Sequence, residues 1–356
     1  MTTLRIGVIG AGAIATLGHI PGFQKILGAS VVAVCDTNLE RAQAVAGQFN
    51  IPMAHSDYRD VIANEQIDAL SIGVPNALHA EIAVAALEAG KHVLSEKPLA
   101  TSVADGEAMV AAAERSGCLL AVNMHMRGSA QAQLLRTLID EGRLGKIGYV
   151  NSRWIRRTGI PGFGSWFTRR DLAGGGVLMD TGVHMLDLAW WLLGCPKVSA
   201  VRGEIQSVHG PRERGLGGWG MDRIPGGTFD VEDLALSHLR LADGGLITVE
   251  VSWAAYGRHE MRVQVFGEEA GADACADIYG NDSPVRLYRD EGSIPVEVIP
   301  SIPRLPGTDW DRSMARFAAA IADRNAPHVP GSEGLAVLKL LDATYRSARE
   351  GREIEL

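Results

Sequence analysis

Cysteine is scarce and scattered. Cys35, Cys118, Cys195 and Cys275 are the only four in 356 residues, and none sits in a CxxC pair or a Cys/His cluster. That argues against a disulfide framework and against a zinc or other metal site. Reduced structural thiols in a cytoplasmic protein are the expectation. Positive charge is also short: 34 Lys and Arg stand against 42 Asp and Glu, for a formal net charge of -8. Such a balance draws the chain to neither nucleic acid nor an anionic membrane. No apolar run approaches the ~20 residues needed to span a bilayer. Internal repeats and low-complexity linkers are missing. A strand pattern begins at Leu4, so we expect no signal peptide. What remains, 46% hydrophobic and 21% charged residues, is an ordinary soluble mixture, and the length allows two domains.

Glycine is the opposite case. The chain has 42, clustered at 10–12, 174–176, 215–220 and 226–227. The first cluster follows a β-branched run, Leu4–Ile9, of the kind buried on both faces of a sheet. It forms Gly10-Ala11-Gly12-Ala13-Ile14-Ala15, a GxGxxA between a strand and a helix. Gly10 permits the tight turn, Gly12 lets a pyrophosphate near the backbone, and Ala15 lets helix pack on sheet. The helix start at Ala13 and Ile14 offers free N–H groups to phosphate. A second strand over 30–35 ends in Asp36, 24 residues after Gly12, where a ribose hydroxyl is gripped. Dinucleotide binding follows, with NAD expected and NADP as the alternative because Arg41 is nearby.

Strands and helices then alternate to residue 123, which predicts a doubly wound parallel sheet. Asp36, Asn76, Lys97 and Asn123 all fall at strand carboxyl ends, on the edge where ligands bind. Pro75 and Asn76 follow one strand, and His79 comes soon after. Asn76 and His79 fit a turn and a helix start equally well, but their edge location favours cofactor contact. The strand 92–95 ends in Glu96-Lys97-Pro98. Proline restricts its neighbour and aims Lys97 from the strand end.

After residue 123 the pattern changes to strand candidates at 149–157, 198–208, 231–241, 245–253 and 261–266. Ala242-Asp243-Gly244-Gly245 is a hairpin signal between two of them. We expect a dinucleotide-binding α/β Rossmann domain over 1–123. An α+β domain over 124–356 follows, with a large open, mainly antiparallel sheet of about five strands and two carboxyl-terminal helices. Gly174-Gly175-Gly176 precedes a helix carrying Asp180 and His184, four apart on one face, with Asp187 continuing it. A buried Asp–His hydrogen bond that steadies the helix is the alternative to a catalytic pair. Zinc fits less well, for want of a third ligand. Polar and aromatic residues around this site, Asn123, His125, Arg127, Trp154, Arg156 and Trp166, are substrate-contact candidates. Each of the last five also fits as packing or solvated charge. If Ile205, Val249, Val251 and Val263 line a bare sheet face, a dimer or tetramer covers it. Otherwise the glycine-rich insert at 209–228 folds over it.

The chain resembles the Gfo/Idh/MocA family of oxidoreductases. The matching pieces are GAGAIA at 10–15, Asp36, Pro75-Asn76-Ala77-Leu78-His79, the segment from Ala89 to Pro98, and GGG with Asp180 and His184. The resemblance covers nearly the whole chain. It implies that Lys97 is the active-site lysine, with Asp180 and His184 as partners. It also implies that Glu96 lies beside the nicotinamide ribose, that Lys97–Pro98 is a cis peptide, and that the protein is oligomeric. The expected reaction is reversible hydride transfer between a hydroxyl-bearing carbon of a sugar, polyol or sugar acid and nicotinamide. His184 is then the base, Asp180 binds a substrate hydroxyl or orients His184, and Lys97 stabilises charge on oxygen. Two other classes stay open: a glycoside-cleaving enzyme that retains its NAD, and a nucleotide-sensing protein without turnover. The segments 157–161 and 166–168 look like a subset of the family. The insert 209–228 and the stretch from Asn281 onward match no pattern.

Overall fold

The computed structural model describes residues 3–220, 222–275, 284–302, 304–325 and 327–356. Part of the unmatched stretch from Asn281 lies outside the described residues. Six strands, β1 (Leu4–Ile9), β2 (Ala29–Cys35), β3 (Met53–His55), β4 (Ala69–Ile72), β5 (His92–Ser95) and β6 (Leu120–Val122), form the first sheet. All pair in parallel, in the order β3-β2-β1-β4-β5-β6. The order reverses direction at β1/β4, the switch point at which such sheets bind ligands. Central strands are buried on both faces: Ile6, Val8, Leu70, Ile72 and Val93 are all fully covered. That explains their predominantly apolar sequence.

The flanking helices carry their own start and stop signals. Asn38 caps Leu39–Phe49, Ser102 caps Val103–Ser116, and Gly117 ends the latter in the left-handed region. Each cap satisfies an amide or carbonyl that the helix end leaves free.

The second sheet has nine strands among the described residues, not five. They are β7 (Ile147–Ile155), β8 (Val198–Gln206), β9 (Leu234–Leu241), β10 (Leu246–Ser252), β11 (Glu260–Gly267), β12 (Ala270–Cys275), β13 (Val285–Glu291), β14 (Ile294–Val298) and β15 (Ile354–Glu355). Their order is β14-β13-β12-β11-β7-β10-β9-β8-β15, antiparallel except for the β7–β10 pair. The apolar helix Val183–Leu192 packs on β7 and β10.

Two expectations change here. Val249, Val251 and Val263 are buried, and Ile205 packs against the same core, so these residues do not line a bare face. The pleat puts their neighbours on the opposite side, and those neighbours are largely polar. Asn151 donates to Thr248 Oγ1 at 2.7 Å, and Arg153 pairs with Glu250 at 2.8 Å and Glu260 at 3.2 Å. The insert 209–228 does not cover this face either. It hydrogen-bonds along residues 159–164 instead, Gly159 N–H to Gly215 O at 2.8 Å and Ile224 N–H to Phe163 O at 2.7 Å. The carboxyl-terminal helices also reach beyond the second sheet. Asp309–Asp323 returns to the first domain, where Phe317 meets Phe23 edge-on at 6.4 Å and Asp311 pairs with Lys25 at 2.8 Å.

Candidate active site

A cleft of about 1650 Å³ runs along the carboxyl edge of the first sheet and under the second domain. At one end β1 turns at Gly10, whose φ of +98° and 2.3 Å gap between a would-be Cβ and Gly73 O admit only glycine. Gly12 faces open cleft: beyond its chain neighbours, no atom of the described residues lies within 4 Å of where its Cβ would stand. Asp36 is fixed by two backbone amides: Ala11 N–H donates to Oδ2 at 3.0 Å and Asn38 N–H to Oδ1 at 2.9 Å. Ala13, Ile14, Pro75 and Asn76 line the same wall, and the Asn76 amide donates to Ala173 O at 2.8 Å across the domains. An open strip above a glycine turn, closed at one end by an anchored carboxylate, fits an adenine dinucleotide.

At the other end Lys97 leaves the cis Lys97–Pro98 peptide that follows β5. Its ammonium donates to Asp180 Oδ1 at 3.0 Å and to Asp180 O at 2.9 Å. Asp180 Oδ2 accepts the indole N–H of Trp253 at 2.9 Å. Both carboxylate oxygens are therefore engaged, and the Asp180–His184 hydrogen bond considered above is not formed. Asp180 holds Lys97 rather than His184. Burial alone raises the Asp180 carboxyl, but the charges of Lys97 and Arg156 and the Trp253 bond outweigh it and hold it below the ordinary range. The backbone here is a π-turn, Leu178–Gly182, that runs into Val183–Leu192. His184 lines the cleft, and its Nδ1 has no hydrogen-bond partner among the described residues. Burial, then the charges of Lys97, His125 and Arg156, keep its imidazole well below the usual value, hence neutral at working pH.

Beneath Lys97 lies a buried polar chain. His19 Nε2 is 2.9 Å from Glu96 Oε1, and its Nδ1 is 2.9 Å from Ser71 Oγ. Asn123 Nδ2 donates to Glu96 Oε1 at 2.5 Å, and Ser313 donates to Asn123 Oδ1 at 2.6 Å. Burial alone raises the Glu96 carboxyl. The His19 bond and charge, Lys97 and Asn123 overcome that and bring it down to about 2. Glu96 also lines the cleft.

Three sequence-derived candidates sit behind the cleft wall rather than on it. Arg127 is 0% exposed. Its guanidinium binds Asp187 through two N–H groups, at 2.9 and 2.6 Å, and also pairs with Glu333. It ties three elements together instead of meeting substrate. Asn123 is fully buried and supports Glu96. His79 is fully buried too, its ring nitrogens 2.9 Å from Pro98 O and 3.0 Å from Val74 O, so it braces the two turns rather than touching cofactor.

His125, Trp154, Arg156 and Trp166 do line the cleft. His125 meets His184 edge-on at 4.9 Å, and burial pushes its imidazole down to about 4. Arg156 lies 4.7 Å over the Trp154 ring, and Trp166 stacks on Phe167 at 3.8 Å. Sequence reasoning missed His19, Trp253, Trp219, Asp222 and Trp310, of which the last three line the cleft. Trp253 directly follows β10, and that strand-end position was the available signal.

Residues 4–124 match a sequence profile described as an oxidoreductase family with an NAD-binding Rossmann fold, and residues 132–273 match the GFO/IDH/MocA C-terminal domain. A D-glucoside 3-dehydrogenase of Escherichia coli is 32% identical over 359 residues, covering 99% of this chain and 97% of that protein. A levoglucosan dehydrogenase of Pseudarthrobacter phenanthrenivorans is 32% identical over 289 residues, 76% of this chain and 73% of that one. Among solved structures, an aldose-aldose oxidoreductase from Caulobacter crescentus with glycerol superposes with a TM-score of 0.85 at 27% identity, covering 99% and 100% of the two chains. A levoglucosan dehydrogenase complex with NADH and L-sorbose gives 0.86 at 25% identity, covering 100% and 99%.

Proposed function

The chain belongs to the Gfo/Idh/MocA oxidoreductase family, and from that premise we propose that it oxidises one secondary hydroxyl of a sugar or glycoside ring. It is an NAD-dependent dehydrogenase or reductase of sugars and polyols. The finer choice of a ring substrate rests on the relatives named above, whose own substrates include D-glucosides and levoglucosan. The observation that carries the reading is the placement of Lys97, Asp180 and His184 on one wall of a cleft whose far end fits a dinucleotide.

Each residue has a distinct task. Bound NAD supplies the hydride acceptor. Gly12 and the helix start after it take the pyrophosphate, and Asp36 accepts from the adenosine ribose hydroxyls. Neutral His184 accepts the hydroxyl proton. Lys97 sets a positive charge against the substrate oxygen, which lowers the hydroxyl pKa and stabilises the charge that develops. Asp180 fixes the Lys97 ammonium and is itself fixed by Trp253. Trp154 and Trp166 present aromatic faces suited to the C–H face of a sugar.

The test is a panel of sugars, inositols and glycosides with NAD, read by reduced-nicotinamide absorbance. Net reduction of added NAD by at least one ring polyol is expected. Glycoside cleavage without net NAD turnover would contradict the reading, as would dinucleotide binding with no turnover across the panel.

A further inference from the structure

We propose that Asp222, carried on the insert from the second domain, acts with Asp36 to deny Arg41 to a ribose 2′-phosphate and so sets the preference for NAD over NADP. The inference rests on reading the cleft as a dinucleotide site.

Asp36 alone leaves the preference weak. Arg41 lies in the first turn of the helix after β2, its N–H donating to Asn38 Oδ1 at 3.1 Å. An arginine near that strand end is the group that accommodates a 2′-phosphate in NADP enzymes. Here its Nη1 is 3.8 Å from Asp36 Oδ2, so one acid and one base nearly cancel. The insert supplies a third charge: Arg41 Nη2 is 3.5 Å from Asp222 Oδ1. All three side chains line the cleft, while the neighbouring Arg223 does not. Two carboxylates against one guanidinium leave a net charge of −1 at this end. A 2′-phosphate, with a charge of about −2, meets repulsion there and finds its natural arginine already engaged.

Asp222 is positioned by backbone packing. A Cβ at Gly217 would lie 2.7 Å from Gly159 Cα, and one at Gly164 would lie 2.2 Å from Ile224 O. Only glycines let these two segments touch, and Gly162 N–H completes the seam by donating to Trp219 O at 2.8 Å. The Asp222 carbonyl lies 3.2 Å from where a Cβ at Gly162 would stand. The glycine-rich composition of the insert thus places an acid from the second domain beside the adenosine end of the first.

Asp222 is 58% exposed in its side chain and Arg41 33%, so the ion pair itself is worth only a small factor. The expected effect comes mainly from lifting repulsion and freeing the guanidinium. Dissociation constants for NAD and NADP are measured on the full chain by calorimetry, for wild type, Asp222→Asn, Asp222→Lys and Asp222→Asn/Arg41→Ala. In Asp222→Asn the ratio Kd(NADP)/Kd(NAD) should fall about tenfold, through tighter NADP binding. Asp222→Lys should lower it further, and the effect should shrink in high salt. Adding Arg41→Ala should remove the part of the gain that the freed guanidinium supplies. A ratio within twofold of wild type in both single variants overturns the inference, and so does a gain left undiminished by loss of Arg41. Wild type that binds neither dinucleotide overturns the reading of the cleft itself, and this inference with it.

Discussion

Replacing Trp253 by Phe tests how the lysine is held. The indole is fully buried, and its N–H donates at 2.9 Å to Asp180, whose other oxygen holds Lys97 at 3.0 Å. Phenylalanine keeps the ring and removes the donor. A hydrogen bond to a charged group contributes about 1.5–3 kcal/mol, which corresponds to a factor of roughly 10 to 150. If that bond orients Asp180, and through it Lys97, kcat/KM should drop by about this factor, mainly in kcat. NAD affinity should change less than about twofold, because Trp253 is absent from the cleft wall. The variant should also lose about 1–3 kcal/mol of stability from the smaller side chain, read as a lower Tm. One readout separates positioning from mere packing. The Trp253 bond helps hold the Asp180 carboxyl down, so its loss should move the acid limb of the pH–rate profile upward. A folded variant with wild-type kcat/KM and an unmoved acid limb would refute this reasoning.

Further outcomes are expected elsewhere. Arg127→Ala strands the buried Asp187 carboxylate, so urea denaturation should show a loss of about 3–5 kcal/mol, with kcat of the folded fraction near wild type; a kcat collapse without instability would return Arg127 to the substrate site. Glu96 is lowered to about 2 in the folded chain, so its stabilisation is complete above its ordinary value near 4.5 and is lost as pH falls through 2. That amounts to about 3 kcal/mol in full, of which about 2 kcal/mol is lost between pH 6 and pH 3, a loss Glu96→Gln should lack when denaturation at the two pH values is compared; equal acid losses in both proteins would count against it. The outer face of the second sheet carries exposed Leu246, Phe266 and Tyr288 among its charged rows, and we expect it to pair with a second copy. Light scattering should then give a multiple of the 38.0 kDa chain mass, whereas the monomer mass would refute that.

The first sheet was largely legible because its buried parallel strands are mostly apolar and most are followed by glycine, an acid or asparagine. The strand β1 was placed to the residue. The second sheet was undercounted because β12 is built of small residues, β13 and β14 mix charge into edge positions, and β15 has two residues. None of these shows a clean alternation. Lys97, Asp180 and His184 were singled out because their types are unusual at their places, and all three line the cleft. Arg127 misled because an arginine near a polar site looks alike whether it meets substrate or a buried carboxylate; its partners, Asp187 and Glu333, are 60 and 206 residues away. Asp222 was invisible for the same reason: its partner Arg41 lies across the domain seam, and Trp253 offered only its strand-end position, since its partner Asp180 is 73 residues away.

The central claim is that Lys97 and His184 act on the substrate while the dinucleotide is held by other residues. The most direct measurement is single-turnover reduction of bound NAD by an oxidisable sugar in Lys97→Ala and His184→Ala, alongside the Kd for NAD. The account predicts a fall in the rate of about 10²–10⁴ in each variant with NAD binding within a few-fold of wild type. A near-normal rate in either variant, with NAD bound, would contradict it.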